Sequence, residues 1–104
     1  MDAEAALRAL AHPKRRAMLD LVWEVERSSS DLAAECGLSR PATSQHLKVL
    51  READLVSARV DRTHRLYRAR TERVAELQAF LDSFWGSKLA ALERATRRPA
   101  RRSR

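Results

Sequence analysis

A mainly helical, α+β fold is predicted for this chain by three features of its sequence. Helix-forming runs are cut by prolines and a glycine. Two short alternating segments read as a β-hairpin, and a last long segment carries apolar residues spaced by threes and fours.

Residues 3–11, "AEAALRALA", are strong helix formers. His12-Pro13 interrupts them, because the residue before a proline is pushed out of the α region. Pro13 suits the first turn of a second helix, expected to run to about Trp23 with Ala17, Met18, Leu21 and Val22 at helical spacing. "ERSSSD" is a polar break. Ser28 then caps a short helix, with Asp31 three residues on and Leu32, Ala33 and Cys36 facing the core until Gly37 stops it. Ser39 is a second cap, and Pro41 is tolerated in the first turn of a helix reaching about Ala53. Leu55–Arg59 and His64–Arg68 read as strands joined around "VDRT", a connection without the Asn-Gly or Asp-Gly of an obvious tight hairpin. Thr71 caps a final helix from Glu72 to about Thr96, striped by Val74, Leu77, Leu81, Phe84, Trp85, Leu89 and Leu92.

With 104 residues, 44% of them hydrophobic and 34% charged, the chain reads as one soluble domain over residues 1–96, followed by a basic, disordered tail over 97–104. Of the net charge of +7, five charges come from Arg97, Arg98, Arg101, Arg102 and Arg104; 7 minus 5 leaves +2 for the body. DNA binding therefore has to be argued from where charges lie, not from their sum. Cys36 is the one cysteine, which excludes an internal disulfide and a multi-cysteine zinc site within one chain and fits a reducing cytoplasm. No run approaches the ~20 apolar residues that span a bilayer, so no membrane partner is expected.

The stretch "GLSRPATSQHLKVLREADLV", residues 37–56, is polar at its start and apolar at its end. At helical period Thr43, Leu47 and Leu50 share a docking face, while Pro41, Ser44, Gln45 and Lys48 lie on the other. A short helix, a turn, and a second helix with polar N-terminal residues form a helix-turn-helix, whose second helix enters the major groove. Gln45 can read adenine in bidentate fashion, Ser44 both donates and accepts, and Arg40 and Lys48 reach guanine or phosphate. With the cap residue Ser39 and the hairpin residues Arg59, Arg62 and His64, these make the expected surface for double-stranded DNA. Strand alternation keeps Arg65 from facing the same partner as all of them.

In this order, "LAHPKRRAMLDLV", "DLAAECGLSRPATSQHLKVLREADLV" and "RTHRLYR" resemble the ArsR/SmtB family of bacterial winged helix-turn-helix repressors, over roughly residues 5–92. The resemblance implies a homodimer formed through the first and last helices, recognition helices in successive major grooves of an inverted repeat, and a β-wing near the minor groove. Leu7, Leu77, Leu81, Phe84, Trp85 and Leu89 are the expected interface residues, in keeping with the thin core of so short a chain. Family metal sensors often carry Cys-x-Cys where Ser28-Ser29-Ser30 stand here, or histidines on the last helix, where this chain has none. Zinc and similar metals want Cys or His ligands, so no metal or other cofactor is expected. Ala53-Asp54 stands where the family commonly has Ala-Gly, and Asp can adopt the left-handed conformation of such a cap.

Thr43 and His46 are assigned to packing, His12 to local capping, and Cys36 to the core as a small hydrophobe. The leading expectation is a dimeric, sequence-specific repressor. The alternatives are a thiol- or small-molecule-responsive sensor of the same fold, and a winged-helix protein-interaction module. The polar face Ser44, Gln45, Lys48 argues against the module, since protein interfaces favour aromatic and aliphatic anchors. Without a Gly-rich phosphate loop or a carboxylate-histidine constellation, no enzyme is expected.

Overall fold

In the computed structural model, which describes residues 2–96, the chain forms five helices and a three-stranded antiparallel sheet among the described residues. The basic tail expected over 97–104 lies outside them.

Helix α1 (Ala3–Leu10) starts where the Asp2 carboxylate accepts from the Ala5 N–H at 3.0 Å. Helix α2 (Pro13–Leu21) has the proline at its first position, where no N–H is needed, and the His12 ring accepts from the Lys14 N–H at 3.1 Å. It stops at Leu21, two residues short of expectation, and the Val22 carbonyl is instead taken by the Ala69 N–H at 2.9 Å. Met18, Leu19 and Val22 are buried, while Ala17, expected on the apolar stripe, is exposed.

The polar break contains a strand that the sequence reading lacks. β1 (Arg27–Ser28) pairs with β3 (His64–Ala69), which also pairs with β2 (Val56–Asp61), giving the order β1-β3-β2. Two residues are too few for an alternation signal, so β1 is visible only through its partner. β2 runs two residues closer to the tip than expected, while β3 starts at His64 as expected, so Asp61 pairs with His64 and leaves only Arg62 and Thr63 as the turn. Arg62 takes the positive φ of 61° that a two-residue turn needs at its first position.

Helix α3 (Ser29–Cys36) is capped by Ser28 Oγ, which accepts from the Asp31 N–H at 3.1 Å. At its end Gly37, at φ 64°, closes a paired cap: the Leu38 N–H donates to Ala33 O and the Gly37 N–H to Ala34 O. Helix α4 (Arg40–Glu52) ends the same way without glycine, with Asp54 at φ 67°, the Leu55 N–H on Leu50 O and the Asp54 N–H on Arg51 O.

Met18, Val22, Leu32, Leu47, Leu50, Leu55 and Tyr67 pack into one core between α2, α3, α4 and the sheet. Helix α5 (Thr71–Thr96) begins at Thr71 itself, the residue expected as its cap, and gives this core only Leu77, with Val74 and Leu81 packed alongside. Most of α5 extends away, so the chain measures 69 × 26 × 21 Å. Its radius of gyration is 18.9 Å, where a compact chain of this length has ~13 Å.

Candidate nucleic-acid interface

The position of α4 follows from its inner face. Thr43, Leu47 and Leu50 are no more than 1% exposed, and Thr43 Oγ1 donates to the Ser39 carbonyl at 2.9 Å, so the helix docks by this stripe. The opposite face, with Arg40, Ser44, Gln45, Lys48 and Arg51, is left in solvent. Ser44, Gln45 and Lys48 hold no hydrogen bond or ion pair among the described residues, so their polar groups are free for a partner. Ser39 is exposed, but its hydroxyl already accepts from the Ala42 N–H at 3.2 Å, giving it a capping role in this state.

Strand register decides which hairpin residues share a side with α4. Tyr67 is buried and Arg65 lies two residues before it, so both point to the same face. Ser29, Ser44, Gln45, Lys48, Arg51, Arg65 and Tyr67 together line one groove between the recognition helix and the hairpin. Arg59 pairs with Leu66 and Asp61 with His64, which puts Arg59 and His64 on the other face. There Arg59 meets Glu26 through two bonds, Nε to Oε2 at 2.7 Å and Nη2 to Oε1 at 2.8 Å. The Arg59 hydrogen bond holds the Glu26 carboxyl below the usual carboxylate range. Arg62 sits at the turn.

Of the expected DNA set, the structure thus brings Ser44, Gln45 and Lys48 to one groove, with Arg40 on the same outer side of α4. It leaves Arg59 and His64 apart from that groove. Arg51 and Arg65 belong to it and were not in the expected set. Arg51 follows Lys48 by three residues, and Arg65 shares strand parity with Tyr67, so helical and strand periodicity were the signals that mark them.

Among the expected interface residues, Leu77 is 4% exposed in the single chain and packs into its core. Leu81 is half-buried against that core, whereas Leu7, Phe84, Trp85 and Leu89 are exposed. Phe80 and Leu92 extend the same apolar surface of α5. Trp85 stands edge-on to Phe84 at 4.9 Å, and Lys88 Nζ lies 4.2 Å from the Phe84 ring centre.

Cys36 is buried beside the turn of the helix-turn-helix, and burial pushes its thiol up, with nearby Lys14 opposing. A raised thiol is a poor nucleophile at neutral pH. Among the described residues no group of three or more His, Cys, Asp or Glu could hold a metal ion, and no helix is long and apolar enough to cross a membrane.

The model of bacterial regulatory proteins of the arsR family matches residues 12–58, from the cap of α2 to the first half of β2. The HTH-type transcriptional regulator Rv2034 of Mycobacterium tuberculosis is 40% identical over 82 residues, which are 79% of this chain and 77% of that one. This chain belongs to the arsR family. A second relative, named a probable mercury resistance operon repressor of Streptomyces lividans, is 36% identical over 92 residues, 88% of this chain and 74% of that one. Among solved structures, a possible transcriptional regulator for arsenical resistance superposes with a TM-score of 0.74 at 40% identity, covering 91% of this chain and 96% of that one. The homodimeric winged helix-turn-helix DNA-binding domain of a possible ArsR-family regulator from Mycobacterium bovis, solved by solution NMR, gives 0.66 at 32% identity, over 78% and 75% of the two chains. The arsR fold thus carries α3 and α4 as its helix-turn-helix and β2–β3 as its wing. The chain is a DNA-binding transcriptional regulator of this family and not an enzyme.

Proposed function

We propose that this regulator is a homodimeric repressor that reads an inverted-repeat operator. The observation that carries the reading is the groove itself: Ser44, Gln45 and Lys48 are exposed and unpartnered on a helix fixed by a buried stripe, with Arg65 opposite. Fixed helices with free polar tips suit base edges in the major groove. Gln45 and Ser44 read bases; Arg40, Lys48, Arg51 and Arg65 reach guanine or phosphate; Arg62 holds the backbone from the wing tip.

Dimerisation is supported by α5. A helix that leaves Phe80, Phe84, Trp85, Leu89 and Leu92 in water exposes a continuous apolar surface, which monomers rarely tolerate. Leu7 on α1 is exposed as well, and the Mycobacterium bovis relative is described as homodimeric. A two-fold dimer presents two recognition helices, which calls for two half-sites about one helical turn apart. Such a dimer blocks the DNA it covers, in keeping with the repressor name of the Streptomyces lividans relative.

Selecting duplexes from a random pool with the full chain tests the reading. Inverted repeats should be enriched, and light scattering of the free protein should give about twice 11.9 kDa. Enrichment of unpaired half-sites, or a folded monomer at micromolar concentration, would overturn it.

A further inference from the structure

Three side chains from three parts of the chain meet outside the DNA groove: His12 before α2, Arg15 within α2 and His46 on α4. The His12 and His46 rings lie 4.5 Å apart at 54°. Arg15 Nη1 is 3.2 Å from His46 Nδ1. A guanidinium can only donate, so His46 Nδ1 must offer a lone pair. The remaining donors of Arg15 reach the end of α1: Nε binds Ala9 O at 2.7 Å and Nη2 binds Arg8 O at 3.3 Å. One side chain therefore ties the last carbonyls of α1 to the recognition helix, one residue after Gln45. His12 also works through an accepting Nδ1, which caps α2 at the Lys14 N–H.

We propose that Arg15 is a positioning residue for DNA recognition, holding α4 against the α1–α2 turn through His46, and that acid opens this joint and weakens sequence-specific binding. The inference rests on α4 as the reading helix. Protonation puts a hydrogen on His46 Nδ1, which removes the Arg15 bond and sets two cations 3.2 Å apart. Burial first, then His12 and Arg15, push His46 below its ordinary 6.5, all in the same direction. No salt bridge reaches His46 from α1, α3 or its own helix among the described residues, so no carboxylate offsets them. The neutral ring's contribution is whole above pH 6.5 and is lost as pH falls through the lowered value. Protons thus favour a chain with the joint open, and DNA that needs the closed joint binds less.

The sign is diagnostic. Acid adds positive charge to any histidine-bearing DNA binder and strengthens phosphate attraction, so scrambled duplex should bind equally or more tightly at low pH. Only the specific duplex should weaken.

The test measures anisotropy of the full chain on a duplex it selects from a random pool, and on a scrambled duplex, at fixed ionic strength. From about pH 7.5 down through the lowered His46 value, the wild-type protein should lose roughly tenfold on the selected duplex, with far-UV circular dichroism unchanged. His46→Asn places an amide oxygen where Nδ1 was and does not titrate, so its affinity should stay level to within about twofold. His46→Gln serves the same purpose should the Asn variant not fold, and His64→Asn, at the wing, should keep the wild-type profile. Wild-type binding that is level or tightens in acid overturns the proposal, as does a parallel fall in the His46 variants or loss of helix over this range. Failure to enrich any duplex would overturn the base-reading role of α4, and this proposal with it.

Discussion

Arg70 Nη1 lies 2.7 Å from Asp54 Oδ1, so the turn that closes the recognition helix is fastened to the residue just before α5. Arg73, a turn into α5, approaches the same carboxylate, its Nε 3.8 Å from Oδ2. Asp54 does this from the left-handed conformation that glycine adopts most easily, at φ 67°.

Two effects at Asp54 can be separated by substitution. Alanine keeps the left-handed cost of about 1 kcal/mol and loses the ion pairs, worth up to about 1 kcal/mol at such exposure. Glycine loses the pairs but relieves the backbone. Urea unfolding at neutral pH should therefore show Asp54→Ala destabilised by up to about 1 kcal/mol, the ion pairs alone, and Asp54→Gly less destabilised than that or not at all. Equal losses would mean that backbone conformation is not what Asp54 contributes.

Contacts that read bases and contacts that hold phosphates respond differently to mutation. Gln45→Ala should cost about 1–3 kcal/mol on the selected duplex and little on a scrambled one. Arg65→Ala and Arg62→Ala should weaken both duplexes and lower the slope of log K against log salt by about 0.9 each. Arg59→Ala should leave that slope nearly unchanged, because its guanidinium is already engaged by Glu26. Titrations at several salt concentrations decide this; a full unit of slope lost with Arg59 would place the DNA on the other face of the hairpin.

The helix-turn-helix was legible because its signals are local: caps at Ser28 and Ser39, the glycine at 37, and a docking stripe at period 3.6. The wing face was not, because choosing between Arg59 and Arg65 needs the register of two strands and the position of Tyr67, which are tertiary facts. The Glu26–Arg59 pair spans 33 residues, and β1 exists only by pairing with β3, so neither leaves a mark on its own segment. In α5 the apolar stripe was visible, but its division between the chain's own core at Leu77 and an exposed surface beyond Leu81 depends on where the helix departs from the body.

Binding to DNA should be indifferent to metal. Ser28 Oγ is spent on the Asp31 N–H, and Ser29 and Ser30 are hydroxyls in the first turn of α3, none of them a ligand that zinc prefers. Affinity for the selected duplex should be the same, within error, with a chelator or with added zinc. A change beyond about tenfold, roughly 1.4 kcal/mol, would reveal a site, for instance one built across subunits from His12 or His46.

The two apolar classes on α5 should fail in different ways when charged. Leu77 is 4% exposed in the single chain, so Leu77→Asp puts an unpaired carboxylate into the core, a change that costs several kcal/mol, comparable with the stability of a whole domain. That variant should lose its cooperative unfolding transition at any protein concentration. Phe84 is 46% exposed and touches Trp85, not the core. Phe84→Asp should therefore leave the helix-turn-helix folded but prevent apolar surfaces from closing on each other, halving the mass seen by light scattering. Its affinity for an inverted repeat should drop to that of a single half-site, since the second recognition helix is no longer tethered. A Phe84→Asp variant that remains dimeric would move the interface off this stripe, and a folded Leu77→Asp protein would show that α5 is not anchored where the structure places it.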